Sequence, residues 1–331
     1  MDTNTYDPFA AGQFTAGMRA GEAIDRARNR TFPIDIWYPT RFFREGRDLT
    51  PIPGPHPLVV YSHSSGGHRR SATFLCRHLA EHGYVVAAMD HSELVAEDLR
   101  PRDGADAGAR AARIDGIINS RVPDVRFLLD HVLGRYAGAG TARDEGVEVD
   151  EARIGLAGHS FGGWTVLATA EVDRRVRAVV AMAAGGSSRP LPGILPLTLS
   201  LDWGRDIPTL YLAAENDVPI PPDRVVELFD RTPGTKRMFT LRRADHQHFV
   251  DDVEGEHEAL RALTLPGEAA WIPAAMLPMS ELSSGEQAHL FVRGLTLAHL
   301  DATLRELEVA EHFLGGDVAG ELAVRGVELL G

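Results

Sequence analysis

Gly158-His159-Ser160-Phe161-Gly162-Gly163 is a G-x-S-x-G segment. It lies between an apolar run, Arg153-Ile154-Gly155-Leu156-Ala157, and a helical run, Trp164-Thr165-Val166-Leu167-Ala168-Thr169-Ala170. Alone the pattern is weak. Between a strand and a helix it has the makings of a nucleophile elbow. Such a turn holds the serine in a strained backbone conformation and needs flanking positions nearly free of side chain. It lifts the Ser160 hydroxyl above a sheet and turns the Phe161 N–H toward the same point. The chemistry implied is acyl transfer to Ser160. The bland alternative is a glycine-rich turn with a capping serine.

A serine hydroxyl is a poor nucleophile until a base takes its proton. The base needs an orienting carboxylate, and the anionic intermediate needs fixed donors. Behind an elbow of this kind the partners follow in the order Ser, Asp or Glu, then His, each just past the end of a strand. After Leu210-Tyr211-Leu212-Ala213-Ala214 comes Glu215-Asn216-Asp217-Val218-Pro219-Ile220. Asp217 is the expected acid and Glu215 its rival, and loop capping is the plain alternative for both. After Leu241 comes Arg243-Ala244-Asp245-His246-Gln247-His248-Phe249, which offers His246 and His248 as bases. The oxyanion donors are expected to be the N–H of Phe161 and, by position, that of Ser65. Ser64, His159, His91, Trp164 and His248 are candidates for contact with a substrate. Of these, His91 reads equally well as an ordinary polar loop residue and Trp164 as core. Arg121 with Asp124 reads as an ion pair on a helix, of small net value if exposed.

The elements that must position these groups alternate. Thr31–Tyr38, Leu58–His63, Gly83–Met89, Val176–Met182, Pro208–Ala214 and Lys236–Leu241 read as strands, with helical patterns between them. Pro51, Pro53, Pro55 and Pro57 make a stiff extended connection. The run from Glu93 to Gly108 reads as a surface loop, and residues 114–136 as a helix with a break or new first turn at Pro123. The pattern from Glu286 to about Phe313 is one long helix, which either packs on the sheet or serves a dimer. Strands alternating with helices predict an α/β protein with a mostly parallel sheet covered on both faces. No linker or repeat divides the chain, so a single domain over 1–331 is expected, with apolar loop insertions at about 185–205 and 266–285 as core filler or binding walls.

The 331 residues carry 34 basic and 47 acidic side chains, a net charge of −13. That balance argues against nucleic acid or an anionic membrane as partner, because both need a basic face. No apolar stretch reaches membrane-spanning length. The start, Met1-Asp2-Thr3-Asn4-Thr5-Tyr6, has neither a basic region nor an apolar run, so a cytoplasmic protein is expected, although a chain trimmed of its leader would read the same. Cys76 is the single cysteine and reads as a buried structural thiol. Metal-ligand patterns and nucleotide-binding glycine motifs are absent, so no metal and no cofactor is implied.

These motifs resemble the α/β-hydrolase family. Gly158-His159-Ser160-Phe161-Gly162-Gly163 and His246-Gln247-His248-Phe249 resemble its platelet-activating factor acetylhydrolase group. Phe32-Pro33-Ile34-Asp35-Ile36-Trp37-Tyr38-Pro39 and Tyr61-Ser62-His63-Ser64-Ser65-Gly66-Gly67 fit that group and the dienelactone-hydrolase-like proteins. Glu215-Asn216-Asp217 resembles the acid loop of cutinase-like polyester hydrolases. Together the matches span about residues 30 to 250. The resemblance implies an α/β-hydrolase fold and a carboxylic ester hydrolase working through an acyl-enzyme. It implies His246 as the base, because family members carry theirs at that loop apex. The apolar insertions at about 185–205 and 266–285 point to a small-molecule or polymeric ester with a hydrophobic acyl or aryl group as substrate. Two departures leave the subgroup open. In the acetylhydrolases the acid follows the preceding strand, which here runs into Ala183-Ala184-Gly185-Gly186-Ser187 without a carboxylate. Dienelactone hydrolases use cysteine where this chain has Ser160. The oxyanion loop usually reads His-Gly-x-Gly, and this chain has Ser64 at the first glycine. The rivals are a terephthalate-type polyester hydrolase, a thioesterase or a serine peptidase on the same fold. From another class comes a silent binding or scaffold member, which a broken triad would mark.

Overall fold

Residues 6–41, 50–137 and 146–331 are described by the computed structural model. Met1–Thr5, on which most of the leader reading rests, lie outside them. The strands are β1 (Thr15–Asp25), β2 (Arg30–Thr40), β3 (His56–Ser62), β4 (Val85–Met89), β5 (Val149–His159), β6 (Val176–Met182), β7 (Thr209–Ala214) and β8 (Lys236–Leu241). They pair in the order β1-β2-β4-β3-β5-β6-β7-β8. Pairs from β4 across to β8 are parallel, and β2 runs antiparallel to β1 and β4. The helices are α1 (Thr73–Glu81), α2 (Ser92–Val95), α3 (Ala107–Tyr136), α4 (Phe161–Val172), α5 (Pro222–Arg231), α6 (Val253–Ala262), α7 (Ile272–Ala275), α8 (Gly285–Leu304), α9 (Glu308–Gly315) and α10 (Val318–Ala323).

Because strand side chains alternate between faces, each apolar strand feeds two cores. Leu58 and Val60 of β3 join Val125, Leu128 and Val132 of α3 and Val166 and Leu167 of α4 on one face. Val59 and Tyr61 join Leu75 and Leu79 of α1 and Phe291, Val292 and Leu295 of α8 on the other. Burying a Leu, Val or Phe side chain contributes roughly 1.5–3 kcal/mol. Helix α8 is therefore held by the sheet it covers, which accounts for the apolar residues of the C-terminal pattern. That pattern is two helices, since α8 ends at Leu304 and α9 begins at Glu308. Cys76 is buried on the same face, with its thiol pushed well above the ordinary range by burial.

Two expectations change, and one strand lies where the sequence pointed to no element. Strand β1 has no apolar alternation (Thr-Ala-Gly-Met-Arg-Ala-Gly-Glu-Ala-Ile-Asp), because as the edge strand it is mostly half-buried or exposed. The segment after Glu93 is not all loop: α2 reaches Val95, a short 3₁₀ turn spans Glu97–Leu99, and α3 already begins at Ala107, capped by Asp106. Pro123 does not break α3, which runs straight through it for 30 residues. An interior proline costs roughly 3 kcal/mol. Around it Arg121, Asp124, Val125, Leu128 and Leu129 are all buried, and this packing holds the turn together.

The insertion at 185–205 acts mostly as core filler, with Leu197, Leu199, Leu201 and Trp203 buried against the α4 face. Its tip meets the second insertion, where the Trp271 indole N–H donates to the Pro192 carbonyl at 3.0 Å. No described helix is long and apolar enough to cross a membrane.

Candidate active site

Strands β3, β5, β7 and β8 point the same way, so their C-terminal ends share one edge of the sheet. The loops leaving that edge carry His63–Gly67, Ser160, Asp217 and His246. At Ser160 the backbone turns from β5 into α4 with φ +57° and ψ −114°. A non-glycine residue there is strained, and the neighbours must over-determine it. The Ser160 N–H donates to the Met182 carbonyl at 2.8 Å, and its carbonyl accepts from Trp164 N–H and Gly185 N–H. The flanking glycines are required by contact. A Cβ on Gly162 would lie 2.0 Å from the Ser62 carbonyl oxygen, and one on Gly158 would lie 2.3 Å from that of Gly162.

Ser160 Oγ lies 2.8 Å from His246 Nε2, and His246 Nδ1 lies 2.8 Å from Asp217 Oδ2. Asp217 Oδ1 accepts from the Ile220 N–H at 2.7 Å, which fixes the carboxylate plane. His246 opens a short 3₁₀ turn capped by Asp245. With Nδ1–H donated to the carboxylate, Nε2 is left to accept the serine proton. Burial pushes the His246 pKa down, but the Asp217 charge and hydrogen bond outweigh it and hold it above the ordinary histidine value. Burial raises Asp217, and His246 offsets only part of that. The rival carboxylate turns elsewhere: Glu215 accepts from the Arg243 N–H at 2.8 Å.

Beside the triad lies a cleft of about 510 Å³. Ser64–Gly67 form one wall and α6 the other, through Ala259, Leu260 and nearby Leu263, with His246 and His159 at its base. His159 is buried, and neither ring nitrogen has a hydrogen-bond partner. Its ring packs 4.8 Å from that of His246 and 5.2 Å from that of Phe249. Burial, with His246 close by, holds it neutral. Phe161 is the first residue of α4, so its N–H has no intrahelical acceptor.

Three of the suggested substrate contacts lie elsewhere. His248 is fully buried behind the loop, bonded to Asp245 and, through Nε2, to the Ser283 carbonyl. Trp164 stacks on Phe161 at 5.5 Å and donates to the Thr198 carbonyl, tying α4 to the first insertion. His91 has 0% exposure. It joins a second Ser–His–Asp arrangement, with Nε2 2.8 Å from Ser62 Oγ and Nδ1 3.3 Å from Asp124 Oδ2. All three members have 0% exposure, so the arrangement is closed to solvent. The apolar insertions do not line this cleft.

The expected Arg121–Asp124 ion pair is also corrected. Both side chains are buried, and they part company: Arg121 pairs with Glu93, and Asp124 with Arg28 at 2.6 Å. Their spacing along α3 suggested a mutual pair, but the partners come from distant loops that only the fold assembles. Likewise the α6 wall of the cleft is not among the sequence expectations. Its signal was the apolar set Leu260 and Leu263 placed shortly after the His246 loop. Among the described residues, no group of three or more His, Cys, Asp or Glu side chains could hold a metal ion.

Comparison with known proteins agrees with this architecture. The family profile described as platelet-activating factor acetylhydrolase, isoform II, matches residues 42–98. The chain is 23% identical over 224 residues to a platelet-activating factor acetylhydrolase of Cavia porcellus, covering 59% of this chain and 48% of that one. It is 25% identical over 225 residues to the Canis lupus familiaris protein of the same name, with the same coverages of 59% and 48%. The chain thus spans about half the length of these curated relatives. A ferulic acid esterase from Streptomyces cinnamoneus superposes with a TM-score of 0.60 at 23% identity, covering 90% of this chain and 93% of that one. This likeness shows the α/β-hydrolase fold.

Proposed function

We propose that this protein is a serine carboxylic ester hydrolase, acting through an acyl-enzyme as a single α/β-hydrolase unit. The observation that carries the reading is the pair of 2.8 Å contacts linking Ser160, His246 and Asp217, with Ser160 on a strained elbow. The similarity to platelet-activating factor acetylhydrolases and to a ferulic acid esterase supports it.

His246 Nε2 takes the Ser160 proton as Oγ attacks the ester carbonyl carbon. The oxygen becomes an oxyanion held by the N–H groups of Phe161 and Ser65. His246 then gives its proton to the leaving alcohol oxygen, and the acyl group stays on Ser160. Water enters, loses a proton to Nε2 and attacks the acyl carbon. The acid leaves and Ser160 recovers its proton. Asp217 keeps the imidazole in the required tautomer and stabilises the imidazolium. The apolar part of the ester lies along Val250, Leu260 and Leu263, beside Ser64 and His159.

The test is a matched panel of p-nitrophenyl esters, thioesters and anilides with acyl chains of two to eight carbons. Esters are expected to be turned over at least about tenfold faster than the anilides, with kcat/KM rising as the acyl group lengthens, since each buried methylene contributes about 0.8 kcal/mol. Preference for anilides or thioesters would move the assignment to a peptidase or thioesterase. Turnover of none would favour a binding role.

The raised His246 pKa sets the pH dependence. The base works only when neutral, so activity is lost as pH falls through its folded pKa. The acid limb of kcat/KM is therefore expected above the ordinary histidine value of about 6.5. An acid limb below that value would contradict the proposed Asp217–His246 coupling.

A further inference from the structure

Arg121 is the largest buried charge near the site, and the reaction just described gives it no role. It lies on α3, with 0% exposure. Its Nη1 donates to the His63 carbonyl at 2.7 Å and its Nη2 to the Ser64 carbonyl at 3.3 Å. Its guanidinium also sits 4.2 Å from the centre of the Phe161 ring. Glu93 neutralises it from α2. One side chain therefore touches both segments that carry the expected oxyanion donors.

The Ser64 carbonyl is the informative contact. It accepts from Arg121, from Gly67 N–H at 3.2 Å and from His63 Nδ1 at 2.7 Å. A trans peptide is planar, with its C=O and N–H pointing in opposite directions. Pinning the Ser64 oxygen toward Arg121 therefore aims the Ser65 N–H the other way, toward the cleft that Ser65 lines. The protonation states agree. His63 donates through Nδ1, so its Nε2 is free to accept the His91 N–H at 3.2 Å, and burial keeps the ring neutral. On the Phe161 side, a planar cation over the ring face holds the first turn of α4, and cation–π contacts of this kind favour arginine. The arrangement also explains Ser64 at a position where glycine is usual in related loops: here hydrogen bonds fix the peptide, so the loop does not depend on a glycine conformation.

We infer that Arg121 is a positioning residue that sets the Ser65 and Phe161 amides in one rigid oxyanion hole, with Glu93 as the counter-charge that keeps it ionised inside the protein. The inference rests on the serine esterase reading above and deepens it.

Arg121→Lys keeps the charge but cannot bridge both carbonyls. It is expected to lower kcat by roughly 10²-fold, the usual loss for one oxyanion donor, with KM little changed. Rates are taken per active site, counted by fluorophosphonate titration. The affinity of an alkyl boronic acid, which forms a tetrahedral adduct on the nucleophile, is expected to fall by the same factor as kcat/KM. A purely structural role would lower the melting temperature and the count of active sites but leave kcat per site and boronate affinity as they were, and that result would overturn the inference. If the lysine variant does not fold, Glu93→Gln carries the test: a matched loss in kcat and boronate affinity supports the inference, and wild-type values for both overturn it. Ser160→Ala in the same assay separates the two levels. Turnover surviving that change would remove Ser160 as the nucleophile, and with it the oxyanion hole the inference is built on. Turnover abolished there but normal in Arg121→Lys would remove only the positioning role.

Discussion

Replacing Ser160 by alanine is expected to lower kcat on a short p-nitrophenyl ester by roughly 10⁴–10⁶-fold, the range for losing the nucleophile of a serine triad. The fold should scarcely notice. The Ser160 side chain makes one hydrogen bond, to His246, worth about 0.5–1.5 kcal/mol. The backbone contacts that hold the elbow, from Ser160 N–H to the Met182 carbonyl and from Gly185 N–H to the Ser160 carbonyl, do not involve the hydroxyl. The melting temperature should therefore stay close to that of the parent while turnover collapses. A variant that melts normally and still hydrolyses the ester would show that another group is the nucleophile.

Asp217→Asn is expected to cost about 10⁴-fold in kcat, and the geometry gives the reason. The Ile220 N–H donates to one carboxylate oxygen at 2.7 Å. An asparagine must keep its carbonyl oxygen on that donor, so its NH₂ group turns toward His246 Nδ1. The imidazole can then meet it only with Nδ1 unprotonated, which puts the ring proton on Nε2, facing Ser160. In that tautomer His246 cannot accept the serine proton. The substitution also removes the charge that holds the His246 pKa up, so the acid limb of the residual activity should move to lower pH. Glu215→Gln is the matched comparison: Glu215 accepts from a backbone N–H of the Arg243 loop and does not touch His246.

The site was legible where one local pattern carried the information. The elbow declares itself through Gly158 and Gly162, whose missing side chains make room for backbone atoms about 2 Å from where a Cβ would sit. Asp217 and His246 could be found because each lies just beyond a strand, β7 fully buried and β8 half-buried, and the fold sends such strand ends to one edge. The central parallel strands β4 and β7 read clearly because both of their faces are buried and their residues are almost uniformly apolar. Strand β1 did not, since an edge strand satisfies half its contacts with solvent and keeps no apolar period. The buried network around Arg121 is hidden in the sequence for a different reason. Its partners Glu93, His63 and Ser64 come from α2 and the loop after β3, and nothing in the spacing of α3 announces them. Spacing alone favoured Asp124, three residues away. His91 and His248 were drawn toward the cleft by their neighbours in sequence, whereas the fold turns both rings inward onto buried carboxylates.

The second, sealed arrangement of Ser62, His91 and Asp124 sharpens the decisive test, because two serines among the described residues face an imidazole backed by an aspartate. Brief exposure of the intact protein to a fluorophosphonate, followed by peptide mass spectrometry, reads which serine is nucleophilic. The account predicts a single adduct, on Ser160, formed in step with the loss of esterase activity. An adduct on Ser62 or on any other residue, or full inhibition with Ser160 unmodified, would contradict it.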